Sequence, residues 1–335
     1  MAHSHPFWAK APPRTTRRGH LWVPGERLTI DGLTYQRGPL FAEWEAPEHV
    51  TQPWPIILLH GGGYQGTEWL DTPDGRPGWA QRLVEAGYAV LLADRPGQGR
   101  SPFHGATMGE MGPPFSYENG RRIYCPEDPD GLHTQWMFAP DDEAAMDEFI
   151  AGYGPLPADL AFSQAMEADA IARLLDRVGP AILLTHSASG PVGWLVADRR
   201  PGAVKAIVAI EPMGPPFADI PNIGSLSWGL TAAPLAFAPS PASPEALREA
   251  SAGAYRLPSL AGLPIVAVTA EASAFALAST PIVEQLSAAG AAAELLHLPD
   301  HGVYGNGHGL IYEKNSDAAL QPVLAWLERQ LEKQP

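Results

Sequence analysis

Five short, unbroken apolar runs constrain this chain more than any other feature of its sequence: Pro55 to His60, Tyr88 to Asp94, Ala181 to Thr185, Ala206 to Glu211 and Pro264 to Thr269. Each ends in small or polar residues. Runs of this length without alternation are the mark of strands buried on both faces. Helical patterns lie between and after them, over 78–86, 162–178, 190–199, 280–289 and 318–331. Strand and helix in alternation predict an α/β fold, a doubly wound and mostly parallel sheet with helices on both faces. In such a sheet ligands bind beyond the carboxyl ends of the strands, so the residues after each run are the ones to read for chemistry.

Residues 26–46 alternate and turn at Asp31-Gly32, which predicts two or three antiparallel N-terminal strands at the sheet edge. Residues 1–20 read as an N-terminal arm, and 21–103 with 161–335 as the core. Two stretches break the alternation: 104–160, rich in Pro, Gly and aromatic residues, reads as an inserted cap, and 212–258 as a second lid-like segment. A length of 335 residues suits one such domain with an insertion.

The formal net charge of -15, without a long basic run, argues against nucleic acid as a partner. The Arg17-Arg18 pair is followed by no apolar stretch, and no window is long and apolar enough to span a bilayer, so neither an export signal nor a membrane partner is expected. The only cysteine is Cys125, which excludes an internal disulfide and a cysteine metal cluster and fits a reducing, cytoplasmic setting. His3 and His5 offer at most adventitious chelation, and with no His-Glu-x-x-His or clustered carboxylates, no metal and no cofactor are expected.

Three segments carry the chemistry. In Leu183-Leu184-Thr185-His186-Ser187-Ala188-Ser189-Gly190, a serine follows a buried strand and precedes a helix. There a hydroxyl stands exposed above the sheet at a helix N-terminus. The usual G-x-S-x-G pattern is broken by Thr185 and Ser189, while the turn keeps small neighbours. His60-Gly61-Gly62-Gly63-Tyr64 follows another buried strand, and its glycines let backbone N–H groups approach a developing oxyanion. Gly62, Gly63 and Ala188 are therefore the candidate oxyanion residues. The segment lacks the spacing of a nucleotide-phosphate loop. Near the C-terminus, Asp300 to Gly309 offers two candidate bases, His301 and His308, and Glu211 and Glu271 are the candidate acids. The residues alone do not choose within either pair. Cys125 lies in a Tyr-Cys-Pro loop and not on a strand-to-helix turn, so it is read as structural.

These segments, together with residues 67–79, Asp94 to Ser101, His133-Thr134-Gln135-Trp136 and Glu313-Lys314-Asn315, resemble a small family of atypical bacterial carboxylesterases of the α/β-hydrolase fold. In that family the triad acid is a glutamate after the sixth strand. The likeness runs from about Trp54 to Trp326. It implies a Ser187–His308–Glu211 triad, with Glu211 preferred to Glu271 and His308 to His301, and it allows a homodimer. Some members carry two adjacent cysteines at the oxyanion turn, where this chain has glycine.

The expected function is therefore a serine esterase that cleaves small carboxylic esters through an acyl-enzyme. A lactonase or amidase would use the same triad, a carbon–carbon bond hydrolase would keep the serine and histidine, and a noncatalytic small-molecule receptor could reuse the scaffold. Tyr64, Trp136 and Trp228 are candidate pocket residues. Asp94 to Ser101 reads as a structural turn.

Overall fold

The computed structural model describes residues 14–332. His3, His5 and residues 1–13 of the N-terminal arm lie outside the described residues. In chain order the strands are β1 (Thr16–Val23), β2 (Glu26–Ile30), β3 (Leu33–Arg37), β4 (Leu40–Pro47), β5 (Ile56–Leu59), β6 (Val90–Asp94), β7 (Ala181–His186), β8 (Val204–Ile210), β9 (Asp219–Ile220), β10 (Gly224–Ser225), β11 (Pro264–Thr269) and β12 (Ala292–His297). The helices are α1 (Trp79–Glu85), α2 (Gly105–Met108), α3 (Tyr117–Tyr124), α4 (Glu143–Ala151), α5 (Leu160–Val178), α6 (Gly190–Arg199), α7 (Pro244–Glu249), α8 (Ala276–Ala289) and α9 (Ser316–Glu332).

Eight strands form one sheet in the order β1-β4-β6-β5-β7-β8-β11-β12. Pairing is antiparallel from β1 through β4 to β6 and parallel from there on. The apolar runs form the middle of this sheet because every residue of β5, β6 and β7 is buried. Burying a leucine such as Leu58 or Leu59 contributes about 1.5–3 kcal/mol, so only a position covered on both faces suits such runs.

β1 departs from the sequence reading, which placed most of it in the arm. It is an edge strand whose residues are mostly exposed or half-buried, and its Arg17-Arg18-Gly19-His20 stretch has no apolar alternation to betray it. Its place is fixed by pairing with β4, Trp22 opposite Phe41 and Val23 opposite Leu40. The turn at Asp31-Gly32 joins β2 and β3, which form a separate hairpin.

One apolar core lies on the face covered by α1 and α9, and it takes in Tyr124, Met146 and Phe149 from the 104–160 segment. The other lies under α5, α6 and α8 and takes in Leu230, Phe237 and Leu247 from the 212–258 segment. The 104–160 and 212–258 segments thus join the cores on opposite faces of the sheet. Among the described residues no helix is long and apolar enough to cross a membrane.

Candidate active site

Ser187 follows β7 directly and opens the turn into α6 with φ of 54°. A non-glycine residue in the left-handed region costs on the order of 1–3 kcal/mol and persists only where its surroundings impose it. Here the Met213 N–H donates to the Ser187 carbonyl (2.9 Å), and the Ser189 hydroxyl reaches both the carbonyl of Leu59 and that of His186 (2.9 Å each) while accepting the His186 N–H (2.9 Å). Ser189 therefore ties the turn to the neighbouring strand. Thr185 is tolerated because its methyl faces Gly193 of α6, where a Cβ would lie 3.3 Å from it. Gly190 is required, since a Cβ there would stand 2.7 Å from that of Pro212.

The glycine turn after β5 lies against this elbow. A Cβ on Gly61 would be 3.5 Å from that of Ser187, and one on Gly62 would be 3.3 Å from that of Ala188. Gly63 has φ of 71° and could not carry a side chain, because a Cβ would stand 2.6 Å from the Gly154 carbonyl. Charged groups tether the turn on both sides. The Gly61 N–H donates to Glu68 (2.7 Å), the Gly61 carbonyl accepts from Arg95 (2.8 Å) and from His60 Nδ1 (2.9 Å), and the Gly63 carbonyl accepts from Gly154 N–H (2.6 Å). Arg95 is itself buried in an ion pair with Glu167 (2.9 Å). His60 Nε2 accepts the Arg95 N–H, and burial beside that cation holds its imidazole well below the usual range, so it sits there neutral.

His308 places Nε2 3.0 Å from Ser187 Oγ and Nδ1 3.5 Å from Glu211 Oε2. Glu211 follows β8, the sixth strand of the main sheet in chain order, with φ of 46°. Its carboxylate accepts the Ala270 N–H (2.7 Å) and the Ser273 hydroxyl. Burial pushes its pKa up to about 7, against the lowering effect of those two donors. Burial, with the His186 imidazole beside it, holds His308 well below the ordinary histidine range. Phe275 stacks on the His308 ring with centroids 3.9 Å apart. The other two candidates lie elsewhere: Glu271 accepts the Gly305 N–H (3.0 Å), and His301 is exposed on a short 3₁₀ turn.

Two further buried histidine–glutamate pairs surround this group, and their roles were not evident from the sequence. His186 Nδ1 faces Glu68 Oε1 at 2.5 Å, and its Nε2 faces the His308 carbonyl at 3.2 Å. His133 Nε2 faces Glu313 Oε1 at 2.8 Å, while Glu313 also accepts Asn306 Nδ2 (2.9 Å) and the Gly307 N–H (3.0 Å). The second network fixes the loop that carries His308. The motifs holding these residues stood out in the sequence, but a partner 118 positions away, as between Glu68 and His186, leaves no local signal.

Of the candidate pocket residues, Tyr64 lies next to the glycine turn and packs on Tyr153 at 4.7 Å between centroids. Trp136 packs on His133 with ring centroids 3.6 Å apart and planes tilted by 33°, and Trp228 packs against the core under α5, α6 and α8. Tyr64 thus lies beside the glycine turn, while Trp136 packs on the histidine that lies against Gly307 and Trp228 is partly buried in the 212–258 segment. Ala188 instead meets Met213, Leu226 and Ala232 of the second insertion, with Leu160 and Ile223 beside them. Cys125 ends α3 half-buried, and burial pushes its thiol up to about 11. Asp94 Oδ1 accepts the Gly66 N–H (2.6 Å) and Oδ2 the Arg100 N–H (2.7 Å), which makes its loop a scaffold for the glycine turn. Among the described residues no group of His, Cys, Asp and Glu could hold a metal ion.

The model of the alpha/beta hydrolase fold family matches residues 55–299. A protein described as probable secreted lipase phiG, from a fungal species (strain ATCC 74256), is 36% identical over 323 residues, covering 89% of this chain and 88% of its own. The solved structure of a novel bacterial esterase superposes with a TM-score of 0.71 at 21% identity, over 96% of this chain and 98% of its own, which shows a shared fold. With an eight-stranded sheet, a strand-to-helix serine turn and a match over most of its length, the chain belongs to the α/β-hydrolase fold family.

Proposed function

We propose that the protein is a serine hydrolase of small carboxylic esters, acting through Ser187, His308 and Glu211 by way of an acyl-enzyme. The observation that carries this reading is the 3.0 Å approach of His308 Nε2 to Ser187 Oγ on a strained turn that lies against a glycine loop. The kinship with a lipase supports ester chemistry in particular.

Ser187 Oγ attacks the ester carbonyl carbon as its proton passes to His308 Nε2. Glu211, facing Nδ1, stabilises the imidazolium that results. The tetrahedral oxyanion is held by the Ala188 N–H and by a backbone N–H of Gly62 or Gly63, an interaction on the order of 3–4 kcal/mol in such enzymes. The intermediate collapses by breaking its bond to the alcohol oxygen, which takes the proton from His308. Water then attacks the acyl-enzyme, gives its proton to His308 Nε2 and releases the carboxylic acid with Ser187 restored. The two insertions shape the pocket and exclude bulk water.

Intact-mass spectrometry after exposure to an organophosphonate ester tests the reading. A single adduct on wild type, absent from Ser187→Ala and His308→Ala and retained by His301→Ala, is the expected result; folded wild type that stays unlabelled overturns it. A panel of matched esters, lactones, amides and diketones then separates ester hydrolysis from its neighbours.

A further inference from the structure

The mechanism leaves unused a fully buried imidazole, His186, directly beneath the reacting groups. Its ring centroid lies 4.9 Å from that of His308. Each of its nitrogens faces an oxygen: Glu68 Oε1 at Nδ1, an acceptor when the carboxyl is ionised, and the His308 carbonyl, an acceptor always, at Nε2. A neutral imidazole has a single N–H to give, so with Glu68 ionised the two contacts are met only by the doubly protonated ring, and with Glu68 protonated by a neutral ring that accepts at Nδ1. Burial among charge-assisted contacts and the Gly61 N–H on the same carboxyl favour the ionised pair. The second oxygen of Glu68 accepts the Gly61 N–H. One ion pair thereby joins three parts that come from distant points of the chain: the oxyanion turn, the residue before Ser187, and the backbone of His308.

Resting on the Ser187–His308 reading, we propose that Glu68 and His186 are positioning residues of the reaction, holding the glycine turn and His308 in register with Ser187 through an imidazolium–carboxylate pair. Burying two charges is costly unless both are fully bonded, and simpler packing would fill the space. The pair is fully bonded here, and its bonds end on the three reacting segments. A misplacement of about 1 Å costs on the order of 10²-fold in rate, so the pair has a measurable task.

The cation also acts at a distance. The charged and titratable groups facing His186 are Glu68, His308, Glu211 and His60, with the rings of Trp69 and Tyr312 at its edge. Burial lowers the His186 pKa, but the Glu68 carboxylate outweighs it and the net direction is upward. The resulting positive charge favours the unprotonated Glu211–His308 pair, which keeps the base available toward lower pH.

Glu68→Gln and His186→Asn, assayed on the best ester of the panel, test the proposal. The expected result is a fall in kcat of about 10–100-fold with KM changed less than about threefold. The acidic limb of kcat/KM should move to higher pH, further in His186→Asn, which leaves Glu68 unpaired, than in Glu68→Gln. A purely structural pair would lower Tm and the folded fraction without moving that limb. Folded variants with kcat and limb unchanged overturn the proposal. On the wild type itself, nitrogen NMR of ¹⁵N-imidazole-labelled protein should find both His186 nitrogens protonated at pH 7.5, above the ordinary histidine range, and a neutral His186 there overturns the proposal even where the variants do not fold. Wild type that the phosphonate leaves unlabelled would sink the Ser187 reading instead, which separates the two failures.

Discussion

Two glutamate–histidine pairs meet at the carboxyl end of the sheet, and the same two residue types do different things in them. In Glu68–His186 the contact is 2.5 Å and the second ring nitrogen faces a carbonyl, so both nitrogens donate when Glu68 is ionised. In Glu211–His308 the contact is 3.5 Å and the second nitrogen faces a hydroxyl, which can donate to it. Both imidazoles are fully buried, so burial alone does not set their protonation. The difference lies in what the second nitrogen meets. Beside an ionised glutamate, a carbonyl at the second nitrogen favours the cation, whereas a serine hydroxyl leaves that nitrogen able to act as a base.

The sharpest way to break this comparison is to remove the base or its serine. His308→Ala and Ser187→Ala should each reduce kcat by roughly 10⁴–10⁶-fold on the preferred ester, measured with enough enzyme to exclude wild-type contamination. The same substitution made at exposed His301 should leave kcat within about twofold.

Glu211→Gln should be next in effect, lowering kcat by about 10³–10⁴-fold, as expected when the group orienting the imidazole loses its charge. It should also separate activity from stability. The folded pKa of about 7 exceeds the ordinary 4.5, so the folded protein holds a proton that the unfolded chain releases, and stability falls as pH rises from about 4.5 through 7. That shift amounts to about 3 kcal/mol at alkaline pH. Thermal denaturation should find Glu211→Gln more stable than wild type at pH 8, with the gap closing toward pH 4. In wild type, kcat/KM should fall as the Glu211–His308 pair takes up a proton with pH decreasing through about 7.

A smaller effect belongs to the third pair. Glu313 accepts from His133, Asn306 and Gly307, so Glu313→Gln sets an amide N–H₂ among donors already in place. Denaturation should show a loss of about 1–3 kcal/mol. The smallest effect is expected at Cys125, whose thiol is half-buried with its pKa pushed up to about 11 and therefore protonated at neutral pH. Cys125→Ser should retain activity within about twofold, and alkylating reagents should inhibit wild type only slowly.

Much of the architecture was legible because its strands are buried on both faces, which forces uninterrupted apolar runs into the sequence. The runs at 55–60, 88–94, 181–185, 206–211 and 264–269 lie on β5, β6, β7, β8 and β11. β1 was not legible, because an edge strand with exposed residues is not obliged to alternate. Ser187 and the glycine turn could be read locally, since a strand-to-helix turn and a close backbone approach each demand small residues in sequence order. The partners of Trp136 and Trp228 could not, because what an aromatic residue packs on in the 104–160 and 212–258 segments depends on how those segments fold.

By itself, the sequence determined that the chain forms a parallel α/β sheet, that a serine stands at a tight turn after one central strand, and that glycines follow another. These are consequences of local burial and backbone geometry, and neighbouring residues write them. The residues read alone left both pairs open and only the family likeness pointed to His308 and Glu211; what brings them together is tertiary, because Ser187, Glu211 and His308 meet by the winding of β7, β8 and the loop before α9. The tertiary structure also decided what His186 is bonded to. Protonation depends on what lies across a hydrogen bond, and both partners of that ring, Glu68 and His308, come from positions more than a hundred residues away.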